Sequence, residues 1–111
     1  MRDTFTFHTD PGHGWLEVTY AELVDLGLQH RISRCSYFAE SRPGADETCY
    51  LEEDCDASLF IFEYQKRFGK FPIFEERFYT SQSRIRRFLH YPQSPGYSYE
   101  ANARYMDGGK D

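Results

Sequence analysis

The chain has 111 residues and a formal net charge of −5, a length at which one domain buries its own core without disulfides or a structural metal. Residues 1–9 hold no basic start followed by an apolar run, and no stretch approaches the length of a membrane span, so a cytoplasmic protein without membrane contact is expected. Cys35, Cys49 and Cys55 are odd in number and lack C-x-x-C spacing, which predicts reduced thiols rather than a zinc site, with Cys35 and Cys49 able to face each other across two strands.

In chain order, Thr4-Phe5-Thr6-Phe7-His8 alternates polar and apolar as a strand does. Asp10-Pro11-Gly12-His13-Gly14 packs turn formers together, and Trp15-Leu16-Glu17-Val18 resumes the extended pattern, so a hairpin is predicted. Thr19-Tyr20-Ala21-Glu22 has capping-box form, which starts a short helix over residues 20–27 that Gly27 can end. Residues 31–38 and 47–52 favour strand and flank a loop at 41–46, a second hairpin.

Asp54 or Asp56 can then cap a longer helix, on which Ala57, Phe60, Ile61, Tyr64 and Phe68 form one apolar stripe and which Gly69 terminates. Beyond it an edge strand is predicted at 76–79 and a short basic helix at 81–89, before an aperiodic tail from Pro92. The expected architecture is α+β in ββαββα order: an antiparallel sheet with the helices packed on one face, forming a single domain over residues 1–91 with an irregular, loosely attached tail over 92–111.

Charge is distributed unevenly. Residues 1–63 carry four Lys/Arg against thirteen Asp/Glu, and residues 64–111 carry nine against five. Glu40, Asp46, Glu47 and whichever of Glu52 and Glu53 points outward are expected to form a surface patch that resembles spaced phosphates and would compete for a basic groove. Arg84, Arg86 and Arg87, with Lys66, Arg67, Lys70 and Arg77, form a basic counterpart that balances the domain or receives the acidic half of a second copy, so a homodimer is a further option. Direct nucleic-acid binding is not expected.

Two segments, His8-Thr9-Asp10-Pro11-Gly12-His13-Gly14-Trp15 and Tyr50-Leu51-Glu52-Glu53-Asp54-Cys55-Asp56-Ala57, resemble motifs of a family of small uncharacterised proteins from phages, plasmids and related mobile elements. The resemblance covers roughly residues 3–90. It implies a mobile-element setting, in which small acidic proteins act as anti-CRISPR or other anti-defence inhibitors, and so a host defence nucleoprotein complex as partner.

Within those motifs, His8, Asp10 and His13 gather around one turn, and Glu52, Glu53 and Asp54 lie at a strand–helix junction. If the two junctions meet, the donor set suits a divalent transition metal or a small metal-dependent hydrolase. This is the alternative to a cofactor-free inhibitor that blocks its partner through the acidic patch, because no H-E-x-x-H or other fixed-geometry spacing is present. No complete catalytic set is visible. Cys55 among acids is a poor nucleophile, and Gly12-His13-Gly14 lacks the remainder of a phosphate loop.

Overall fold

A computed structural model describes residues 1–39 and 47–93, together with the backbone of 96–98 and 101–104. The first hairpin forms as the alternation requires: β1 (Thr4–Asp10) pairs antiparallel with β2 (His13–Thr19), placing Phe7 beside Leu16 and His8 beside Trp15. Thr19 then caps α1 (Tyr20–Asp25). Its hydroxyl accepts from Glu22 N at 3.1 Å while the Glu22 carboxylate accepts from Thr19 N at 2.9 Å, closing the capping box. Gly27, at φ 73°, turns the chain away after α1 in a conformation that other residues rarely adopt.

The segment expected to be a strand over 31–38 is extended only at β3 (Tyr37–Phe38). Residues before it curl around a carboxylate: Asp56 accepts from Ser33 N at 3.1 and 3.2 Å, from Ser33 Oγ at 2.8 Å and from Ser36 Oγ. The same contacts correct the expected cap. Asp56 stands at the N-cap position of α2 (Ala57–Phe68) but gives no side-chain hydrogen bond to the helix. β4 (Thr48–Glu52) lies between β2 and β3, and α2 ends at Gly69 with φ 74°.

The strand after α2 begins earlier and is longer than expected. β5 (Ile73–Phe78) pairs parallel to β1, so the sheet is mixed rather than antiparallel. A parallel neighbour needs a long crossover, and the chain from β1 through α2 supplies it. Residues 84–87 form a 3-10 turn in place of the expected helix, and β6 (Leu89–His90) closes the far edge against β3. The strand order is β5-β1-β2-β4-β3-β6. Within the segment expected to be an irregular tail, β7 (Gly96–Ser98) and β8 (Ala101–Arg104) pair as a separate two-stranded ribbon.

Strand alternation gives the sheet two unlike faces. One carries Phe5, Phe7, Leu16, Val18, Cys49 and Leu51 and is covered by α1 through Leu23 and by α2 through Ala57, Phe60 and Tyr64. The Phe5 ring sits edge-on to Phe60 at 5.4 Å and to Tyr64 at 5.8 Å. Cys49 is therefore in the core, on the opposite side of the sheet from the cleft that Cys35 lines, and the two do not face each other. The second face carries His8, Asp10, Trp15, Glu17, Tyr50 and Glu52. It is crossed by the 3-10 turn, whose Ile85 is buried. Among the described residues no helix is long and apolar enough to cross a membrane.

Candidate functional site

The polar face is organised around one ion pair. Asp10 ends β1 with its carboxylate fully buried and receives Arg86 Nε at 2.7 Å, Arg86 Nη2 at 2.8 Å, Ser83 N at 2.8 Å and His13 N at 3.3 Å. The Arg86 hydrogen bonds hold Asp10 down at about 2, against the opposing effect of burial and with help from Ser83; the same bonds raise Arg86 above its ordinary value. This pair fastens the 3-10 turn across the sheet and places the Arg86 guanidinium 5.8 Å from the centre of the Trp15 ring. A cleft opens on either side.

The first cleft, of about 510 Å³, is floored by His8, Glu17 and Tyr50 and rimmed by Arg77, Arg84 and Arg87. His8 Nε2 lies 2.6 Å from Glu17 Oε1 and His8 Nδ1 lies 2.8 Å from Tyr79 Oη. A carboxylate only accepts, so Nε2 carries a proton, and in the neutral ring Nδ1 accepts from the Tyr79 hydroxyl. The hydrogen bond from His8 keeps Glu17 below the ordinary carboxylate value. Burial, reinforced by the Glu17 charge, pushes Tyr50 up to about 12, so its hydroxyl stays protonated. Tyr50 packs against Phe88 at 5.3 Å and against His8 at 5.6 Å. Arg77, Arg84 and Arg87 are exposed, and none makes an ion pair with a described residue.

The second cleft, of about 580 Å³, is where the two motif segments meet: Trp15 pairs with Glu52 across β2 and β4, and Glu53 N donates to Gly14 O at 2.9 Å. His13 Nδ1 lies 3.4 Å from Glu52 Oε2, and Glu52 Oε1 accepts from Asp54 N at 2.9 Å. Tyr37 stacks on His90 at 4.8 Å along one wall. The Trp15 indole N–H is buried there with no acceptor among the described residues. Cys35 and Cys55 line the same cleft. The Cys55 thiol is pushed up to about 12 by its hydrogen bond with Cys35, then by burial and by Glu52, so it is a poor nucleophile.

The residues singled out from the sequence are dispersed over this geometry. His8 belongs to the first cleft, Asp10 to the ion pair and His13 to the second cleft; among the described residues no three His, Cys, Asp or Glu side chains are grouped to hold a metal ion. Of the acidic set, Glu40 and Asp46 lie outside the described residues. Glu47 is half-buried, Glu52 is buried in the second cleft and Glu53 is exposed. Sequence reasoning missed Glu17, Tyr50 and Tyr79 around His8, and the pairing of Arg86 with Asp10. The available signals were strand parity, which sets His8 and Asp10 on one face, and the basic run at 84–87. Comparison of the chain with family models, with curated proteins and with solved structures gives no match.

Proposed function

We propose that this protein is a binding module whose polar sheet face takes a phosphate-bearing ligand of nucleotide size, free or as one unit of a single strand. The observation that carries the reading is the rim of the first cleft: three exposed arginines, none in an ion pair with a described residue, around a cavity of about 510 Å³, with Arg77 close enough to the Glu17 floor to help lower its carboxyl. Arginine recognises phosphate through paired N–H donors. The cavity lies within the range that holds a small ligand, and Tyr50 and Phe88 offer ring surface beside it on which a base can stack. The internally satisfied His8–Glu17–Tyr79 set fixes the floor, so binding needs little rearrangement.

The test is fluorescence polarisation with a labelled single-stranded oligonucleotide, competed by a mononucleotide and by inorganic phosphate. The variant Arg84→Glu/Arg87→Glu, altered only at exposed positions, should weaken binding by about tenfold or more, and affinity should fall with added salt. Competition by the mononucleotide identifies a free nucleotide as sufficient; competition only by longer strands identifies the strand. Absence of binding, or binding unchanged in the double variant, refutes the reading.

A second reading follows from the resemblance to mobile-element proteins: an inhibitor that occupies a basic nucleic-acid-binding surface of a host defence complex. It is supported by the exposure of Glu53 and Asp54 on consecutive residues of the β4–α2 turn. Glu52, buried in the second cleft, is unsuited to that contact. Glu53→Lys/Asp54→Lys should abolish inhibition by a folded protein while leaving the arginine cleft competent, and retained inhibition would reject it.

A further inference from the structure

β5 is an edge strand on which all six residues are exposed, including Phe78 at 72% and Ile73 at 56%. Such an edge is a template for another strand. Its free hydrogen-bonding groups are assigned by the pairing with β1. Ile73 N donates to Asp3 O at 2.7 Å and Tyr79 N to Thr9 O at 2.9 Å, so the odd-numbered residues turn their backbone groups toward β1. Phe74, Glu76 and Phe78 turn theirs outward.

We propose that β5 pairs antiparallel with β5 of a second copy, about a two-fold axis through Glu76 and perpendicular to the sheet. This register places outward-facing residues opposite one another, Phe74 against Phe78 on both sides of a central Glu76 pair, and forms about six backbone hydrogen bonds. The intervening positions align Glu75 with Arg77 of the other copy, twice by symmetry, at the closer non-hydrogen-bonded spacing where cross-strand pairs interact best. Phe74 and Phe78 meet across the strands on the opposite face. Centring the axis on Glu75 instead sets Phe74 against Glu76 and Phe78 against Pro72, which has no N–H to donate. Charge, ring and backbone complementarity thus agree on one register. The single repulsive contact is Glu76 against itself.

The axis keeps both polar faces on one side, so two arginine clefts share a surface. Arg77 belongs to both β5 and the rim of the first cleft, whereas Glu75 and Phe78 lie outside that cleft, so Glu75→Arg and Phe78→Pro separate loss of the dimer from loss of ligand binding. Sedimentation velocity across a wide concentration range, with circular dichroism to verify folding, tests it. A monomer–dimer equilibrium is expected. Glu75→Arg and Arg77→Glu should each weaken it by about tenfold or more, and the double exchange Glu75→Arg/Arg77→Glu should restore it. Phe78→Pro removes an outward N–H without touching the bonds to β1 and should abolish the dimer, whereas Glu76→Gln should tighten it. A protein that stays monomeric at every concentration, including one whose edge is covered by its own tail, overturns the proposal. So does a dimer indifferent to the single exchanges, or a folded double exchange that fails to recover.

Discussion

Replacing Asp10 by Asn probes the ion pair on which both clefts depend. Asn keeps the volume but presents one acceptor and one N–H₂ group to a site that supplies four donors, two from Arg86 and one each from Ser83 and His13. The carboxyl is held from an ordinary 3.8 to about 2. At about 1.4 kcal/mol per pH unit this would stabilise the fold by about 2.5 kcal/mol at full strength. Arg86 is a quarter exposed on its own side of the pair, and solvent screening lowers the figure to about 1–2 kcal/mol.

The sign is set by the depressed value. The stabilisation is complete above the unfolded-state value near 3.8 and is lost as the pH falls from there through about 2. Urea unfolding of wild type and Asp10→Asn should therefore differ by about 1–2 kcal/mol at pH 7, by the same amount at pH 5, and by progressively less below pH 4. Arg84 and Arg87 flank Arg86 on the fastened turn, so the variant should also lose affinity at the first cleft. Equal stability of the two proteins at pH 7, or a difference that persists undiminished in acid, would refute the electrostatic account.

Three further outcomes are expected. Gly14→Ala should lower stability by about 1–3 kcal/mol in thermal or urea unfolding, since its Cβ would stand 2.7 Å from Glu53 Oε1 and 2.9 Å from the Phe7 ring. Tyr79→Phe, which removes the 2.8 Å contact to His8, should cost about 0.5–1.5 kcal/mol by urea unfolding and leave Glu17 as the only hydrogen-bond partner of the His8 ring among the described residues. In thiol labelling followed by mass spectrometry, exposed Cys35 and Cys55 should react in the native protein and buried Cys49 only after denaturation; Cys35→Ala should accelerate Cys55, because the thiol that holds its proton is gone.

What the sequence discloses of the fold is what local physics decides. The Asp10–Gly14 turn, the Thr19/Glu22 box and the stripe through Ala57, Phe60 and Tyr64 each depend on residues a few positions apart, and each forms. Long-range choices are hidden. Nothing near Ile73 announces that its strand will run parallel to β1, and residues 31–36 have the composition of a strand yet bend because Asp56, twenty or more residues away, captures Ser33 and Ser36. The site shows the same division. Parity places His8 and Asp10 on one face, but the groups that claim them, Tyr79 and Arg86, arrive from 71 and 76 residues further along. Three potential ligands within six residues thus end with three separate sets of partners.

The second face of the sheet is a thermodynamic concession. His8, Asp10, Glu52 and Ser83 are all buried there, on a surface that a four-residue turn and a few apolar side chains could cover. Apolar replacements of such networks are often neutral or stabilising. Its polar groups divide into two classes. Asp10–Arg86 and Glu17–His8–Tyr79 are each internally satisfied, and the Asp10 contacts to Arg86 and Ser83, with buried Ile85, fix the 3-10 turn that carries Arg84 and Arg87. Those two arginines and Arg77 make no ion pair with a described residue, although Arg77 is attracted to Glu17, and the buried Trp15 N–H has no acceptor among the described residues. A satisfied set that rigidly presents an unsatisfied one is the arrangement expected where binding, rather than stability, decides which residues occupy a surface.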